Sequence, residues 1–190
     1  MSVSGPSVPN LMTLIPGRLC IAWVEWQKLQ PTSFVASVIL HGYKLSWKNN
    51  IPPPRMVRPN SLKALAQAPF IEKCIQDLLH KGVIQHCSST EAWCILPVTV
   101  LPKPNSSNLR FILNGSPLKP YELMRTFKLE HLWAEGRELF ANCNYGGLID
   151  LSDAYYHIQL HHESRKYVAF CWNNQYYQFC GLPMGIHSAP

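Results

Sequence analysis

The chain has 190 residues, 47% of them hydrophobic, which is enough to bury one sizeable core. Its 17 Lys and Arg outweigh 11 Asp and Glu, and the resulting charge of +6 favours an anionic partner such as nucleic acid. No apolar run is long enough to span a membrane and the N-terminus lacks a secretory signal pattern, so an intracellular protein, cytoplasmic or nuclear and not secreted, is expected.

Residues 1–16 are rich in Ser and Pro and predict a loose segment. Leu19, Trp23 and Trp26 then recur at helical spacing, which makes the two tryptophans core residues on one stripe. FVASVILHGYKLSW (34–47) is a short apolar element ending at Gly42. IPPPRMVRPN (51–60) predicts a connector without regular structure, partly polyproline II.

The clearest helix is PFIEKCIQDLLHKG, residues 69–82. Pro69 suits its first turn, and Phe70, Ile71, Cys74, Ile75, Leu78 and Leu79 make one apolar face. His80 and Lys81 suit the negative end of the helix dipole, and Gly82 is placed for a left-handed cap. VIQHC follows as a strand.

Residues 96–113 alternate around PNSSN turn chemistry and predict a β-hairpin, with Lys103 and Arg110 flanking its loop. The stretch 120–139 is polar and partly helical. A strand at 147–150, a broken helical segment from Asp153, and strands near 167–171 and 175–179 complete the chain. Strands and helices mix without a βαβ rhythm, and 16 prolines argue against a helical bundle, so the fold class is α+β. The seven cysteines form no CxxC pair and no zinc spacing, and read as reduced thiols packed as small hydrophobes.

Of three aspartates (77, 150 and 153), two fall in LIDLSDAYY, after the apolar Leu148 and Ile149. A carboxylate at the tip of a buried strand can cap the next turn, or it can hold a hard divalent cation. Successive amides after Asp150 could form a small anion nest, and the small Ala154 lets a ligand approach the backbone. Tyr155 would then stand beside a sugar, and Lys103 and Arg110 offer a point charge and a fork for phosphate oxygens. His161 and His162, neighbours expected to point apart, suggest a solvated basic surface rather than a metal pair.

LIDLSDAYYHIQLHHESRKYVAF and YYQFCGLPMGIHSAP resemble motifs A and B of retroelement reverse transcriptases, and PKPNSSNLRFILNGSPLK resembles their fingers hairpin. MRTFKLEHL and GRLCIAWVEW…HGYKLSW…IPPPR resemble DIRS-like retrotransposons in particular. The resemblance implies the fingers and partial palm of a right-hand polymerase, stopping before the second catalytic motif and the thumb. It divides the chain into an N-terminal extension (1–60), fingers (61–145) and partial palm (146–190).

The resemblance further implies that Asp150 is the first catalytic aspartate and binds both Mg²⁺ ions, with the Leu151 carbonyl completing one shell. The amides of Asp153 and Ala154 would meet the β- and γ-phosphates of a deoxynucleoside triphosphate (dNTP). Tyr155 would be the sugar gate, Lys103 and Arg110 would close on the triphosphate, and Met184 and Gly185 would lie beneath the nascent base pair. Asn114 and Ser116 depart from the pattern, which could loosen the fingers scaffold.

Two cations ~3.5–4 Å apart need more than one carboxylate, and the chain contains no Asp-Asp pair. The expected activity is template-directed DNA synthesis on an RNA or DNA template-primer, with the isolated fragment inactive. The alternative is a non-catalytic nucleic-acid-binding remnant retained by the host. A phosphohydrolase built on Asp150 and Asp153 would need further ligands.

Overall fold

Five short stretches build the central sheet, and period-two alternation of apolar residues marks the longer of them. The computed structural model describes residues 15–103, 108–123, 145, 147 and 150–186. The strands are β1 (Met56–Val57), β2 (Ile84–Cys87), β3 (Cys94–Ile95), β4 (Val98–Pro102), β5 (Leu109–Leu113), β6 (Ala169–Trp172) and β7 (Gln175–Phe179). Five of them form one sheet in the order β1-β3-β6-β7-β2, parallel across β1-β3-β6 and antiparallel across β6-β7-β2.

Alternation assigns the two faces of this sheet. Ile84, Cys94, Phe170, Tyr177 and Phe179 enter the main core, while Ile95 and Ala169 pack with Ala92 on the opposite side. Phe170 is fully buried, 5.6 Å from Phe111 edge-on and 5.1 Å from Tyr177 in a stack. The β6–β7 hairpin closes on Asn173 and Asn174, both at positive φ (48° and 59°), the conformation a two-residue primed turn requires.

After a one-turn helix α4 (Leu62–Leu65), helix α5 (Ala68–His80) covers the main face through Ile71, Ile75 and Leu78, as its periodicity predicts, with Phe70, Cys74 and Leu79 packed at the margin. It ends as expected at Gly82, whose φ is 66°. Gly82 N donates to Leu79 O and Val83 N to Leu78 O, so two otherwise orphaned carbonyls are satisfied. The predicted hairpin is present as β4 and β5, with Val98 facing Leu113 and Val100 facing Phe111. Residues 104–107 of its loop lie outside the described residues, as does 124–139 of the segment expected to be partly helical.

Three expectations are corrected. The 17–29 stretch forms two short helices, α1 (Arg18–Ile21) and α2 (Trp23–Lys28), broken at Ala22. Neither contains a buried residue, so Trp23 and Trp26 are half-buried and not core; helices this short cover only one side of their own stripe. The apolar element before Gly42 is α3 (Ser33–His41), capped by the Thr32 side chain.

The 51–60 connector contains strand β1, because only its prolines lack a donor. Met56 N and Arg58 N bond to Trp93 O and Ile95 O, while the Pro53 carbonyl accepts from Trp93 Nε1. Of the cysteines, Cys94 and Cys180 are buried as expected, but Cys20 is exposed.

Packing does not follow the three-part division of the chain. Strands from the connector, from 61–145 and from 146–190 share one sheet, and Ile15 and Ile186 belong to the same core cluster. Among the described residues, no helix is long and apolar enough to cross a membrane. Truncating Phe170 should empty the centre of this core: Phe170→Ala is expected to lower the unfolding free energy by about 3–5 kcal/mol in urea denaturation. A loss below about 1 kcal/mol would mean that the aromatic cluster does not hold the sheet together.

Candidate nucleotide and metal site

The stretch carrying Asp150 is less regular than its sequence suggests. Gly147 and Asp150 belong to no strand and are exposed, and residues 146 and 148–149 of the expected strand lie outside the described residues. Leu151 is also exposed, at 71%. The chain then turns sharply through Asp153, which adopts the left-handed conformation at φ 55°, ψ 30°, into a 3₁₀ turn at Ala154–His157. That is the broken helical segment predicted from Asp153, and the amides of Asp153 and Ala154 head it.

Two contacts fix this turn from below. Tyr156 is buried, stacked 6.2 Å from Phe179, and Tyr156 N donates to Asp153 O. Burial, reinforced by the nearby Asp153 charge, pushes the Tyr156 hydroxyl far above its usual range, so it stays protonated. A Cβ on Gly181 would sit 2.6 Å from Tyr156 O, so only glycine lets the 180–182 segment pass this closely. Tyr155, the proposed sugar neighbour, is half-buried and rests on the core.

The second contact is ionic. Lys81 Nζ lies 3.1 Å from Asp153 Oδ2 and 2.8 Å from Asp77 Oδ2. The hydrogen bond to Asp77, followed by Asp153, raises the lysine above its ordinary pKa against the opposing effect of burial. Asp153 therefore serves a structural ion pair. Sequence reasoning placed Lys81 only at the helix dipole. The available signal was Asp77 four residues earlier, the spacing at which helical side chains meet.

Asp150 has no hydrogen-bond or ion-pair partner among the described residues, in contrast to Asp153. Its exposed carboxylate suits one oxygen position of a hard cation. Among the described residues no group of three or more His, Cys, Asp or Glu is gathered as a metal site. The residues present thus fit part of a divalent-cation site and not the whole of one.

Arg110 pairs with Leu101 on the outward face of the hairpin, and Lys103 N bonds to Asn108 O at its end. Both side chains are exposed, and among the described residues neither is bonded to Asp150 or Asp153. Gly185, next to the half-buried Met184, meets the other end of the hairpin. Gly185 has φ 101°, and a Cβ there would stand 2.2 Å from Leu113 O, so its bare face is spent on protein backbone. Gly115 N donates to Gly185 O at 2.9 Å. Asn114 Oδ1 accepts from Ser116 N and Asn114 N donates to Pro97 O, so this corner is braced and not loosened.

His161 and His162 do not point apart. Their rings lie 4.3 Å apart at the start of the one-turn helix His162–Arg165, because His161 caps it by accepting Glu163 N on Nδ1.

No family profile matches this chain. It is 27% identical over 121 residues to the retrovirus-related Pol polyprotein from transposon opus of Drosophila melanogaster, covering 63% of this chain and 12% of that protein. It is 24% identical over 160 residues to the corresponding polyprotein from transposon 297 of Drosophila melanogaster, covering 78% of this chain and 15% of that one. The foamy viral protease-reverse transcriptase solved in complex with dsDNA superposes with a TM-score of 0.57 at 22% identity, over 79% of this chain and 31% of that one. A dRH form of it, also with dsDNA, gives 0.52 over 74% and 22%. The fold is accordingly a partial, mixed α/β polymerase fold of the reverse-transcriptase kind. The chain is similar to retrotransposon Pol polyproteins and spans roughly one-seventh of their length.

Burial, then the neighbouring His162, holds the His161 imidazole below its ordinary pKa, with Lys44 and His41 adding to this and Glu163 opposing it. A histidine depressed in the folded state binds its proton more readily when unfolded. Stability should therefore fall as pH drops through about 6.5. In chemical denaturation at pH 7 and pH 5, His161→Gln is expected to shrink that fall; an identical fall would assign it to other groups.

Proposed function

We propose that the chain is the nucleotide-facing part of a retroelement reverse transcriptase, of the DIRS-like kind, which binds RNA or DNA template-primer and dNTPs inside the cell. The observation that carries this reading is the contrast between two neighbouring carboxylates: Asp153 is tied to Lys81, while Asp150 is exposed and unpaired among the described residues. Similarity to retrotransposon Pol polyproteins, and a fold shared with a reverse transcriptase solved on dsDNA, support it.

In this reading the Asp150 carboxylate and the Leu151 carbonyl would hold Mg²⁺, which when bound neutralises triphosphate charge during attack by a primer hydroxyl. The chain's own groups do the positioning. Asp153 and Ala154 offer backbone amides to phosphate oxygens, Tyr155 presents a ring fixed on the core to the sugar, and Lys103 and Arg110 supply positive charge from the hairpin. Met184 and Gly185 shape the floor of the site. Two cations require further carboxylates, so this chain alone does not extend a primer.

The exposed basic side chains of Lys103 and Arg110 on the hairpin also suit a second reading, a host-retained protein that binds nucleic acid without catalysis. A chain extended through an aspartate-pair hairpin separates the two. In it, Asp150→Asn is expected to abolish primer extension, a loss of at least about a thousandfold, while leaving template-primer affinity within about threefold. Extension that survives the substitution would remove Asp150 from the chemistry. In the same extended chain, Tyr155→Val should raise the ratio of ribonucleotide to deoxyribonucleotide incorporation by about tenfold or more. An unchanged ratio would remove the gate.

A further inference from the structure

We propose that Lys81 is a positioning residue for the Asp150 turn. Its ammonium holds Asp153 in the left-handed conformation and neutralises it, leaving Asp150 as the uncompensated carboxylate of the turn among the described residues. The consequence for metal binding rests on the reading of Asp150 given above; the positioning itself does not.

The backbone of Lys81 is unusually well anchored for a helix end. Its amide donates to Asp77 O, its carbonyl accepts from Ile15 N, and the next two amides close the helix cap on Leu79 and Leu78. Val83, two residues on, accepts from the amides of Cys180 and Gly181, the segment that passes against Tyr156. The lysine thus stands on a rigid corner between helix α5 and the strand pairing beneath the turn, and its side chain is only 31% exposed. From there Nζ reaches two carboxylates, one on its own helix and one 72 residues away.

Asp153 needs such a partner. A non-glycine residue at φ 55° is uncommon, and contacts both within the turn and from outside it hold this one in place. Tyr156 N to Asp153 O supplies one, and Lys81 supplies the charge. Without the ammonium, two carboxylates three residues apart would compete for the same space beside amides proposed to meet phosphate, and like charges there repel an incoming anion. The three aspartates are thereby divided: two converge on Lys81, and Asp150 has no such partner among the described residues.

Amide hydrogen exchange on the full 190-residue chain tests the positioning without any ligand. Lys81→Met is expected to raise exchange across residues 151–157 by about fivefold, the scale of a partly exposed ion pair, while exchange within Ala68–His80 stays as in the wild type. Lys81→Arg should retain wild-type protection. Asp153→Asn should loosen the turn as much as Lys81→Met, and the double variant should add nothing, since both remove one interaction.

Asp77→Asn is the control: it removes the other partner of Lys81 and should leave the turn protected. Unchanged exchange in Lys81→Met, loosening of the whole helix, or equal loosening in Asp77→Asn would each overturn the proposal.

Manganese binding, followed by electron paramagnetic resonance, separates this from the polymerase reading. Lys81→Met frees Asp153 beside Asp150 and should raise Mn²⁺ affinity by about twofold to fivefold; a fall would overturn the neutralising role. Wild-type chain that binds no Mn²⁺ would remove the metal role of Asp150 and leave the exchange result to decide Lys81.

Discussion

The architecture depends on one long-range pairing, the insertion of the β6–β7 hairpin between β3 and β2. Those outer partners are separated in sequence only by residues 88–93, and a short connection would ordinarily let them pair with each other. Instead Ile95 meets Ala169, and Ile84 meets Phe179. The burial of Phe170 and Phe179 offsets the entropy of closing so long a loop, which grows by only about 0.6 kcal/mol for each doubling of length. The described residues next to β5 and β6 are tied back to the frame at both ends. Asn114 anchors one end to Pro97; Leu160, bonded to Cys180, anchors the other. The Asp150 turn hangs from this frame and is not part of the sheet.

Charge is distributed on that frame with economy. The chain is basic overall, yet its most specific ion pair is spent on the turn, where Lys81 serves Asp77 and Asp153 together. The Lys28–Glu25 and Lys44–Glu163 pairs lie in exposed positions, where such contacts add little. A half-buried lysine shared by two carboxylates differs in kind. It fixes geometry as much as it contributes energy, because the residue it holds cannot relax from its left-handed conformation while the pair stands.

Much of this was legible in the sequence where one residue type has one physical use. Pro69 and Gly82 bracket helix α5, and Val98, Val100 and Phe111 set the hairpin faces, because cap and alternation rules are local. Legibility failed where the partner is distant. Nothing near Met56 says that it will pair with Cys94, and nothing near Trp23 says that its stripe stays half uncovered. At the site, the Asp–x–x–Asp spacing marked the turn, but not which carboxylate would be consumed. That depended on a lysine 72 positions away, whose role becomes visible only when α5 and the turn are brought together. The directions of the His161 and His162 rings were not legible for a related reason: they depend on His161 capping the helical turn that follows it.

The placement of the hairpin follows from two absent side chains. Gly115 and Gly185 meet backbone to backbone, with a hydrogen bond of 2.9 Å between them, and a Cβ on Gly115 would stand 2.6 Å from Gly185 O. At so close an approach, no side chain acts as a flexible spacer between the hairpin and the 184–186 turn, and interiors packed this tightly shift as units. Arg110 lies three residues before Leu113, whose carbonyl faces the bare side of Gly185. Its position relative to Met184 is therefore set by main-chain contact. On the proposed reading, the residues that would meet phosphate from above and the base from below are borne by one rigid piece. The Asp150 turn, braced by Lys81, packs into the same core, where Tyr156 joins Phe111, Leu113 and Ile186. A nucleotide held there would meet groups whose relative placement is already fixed.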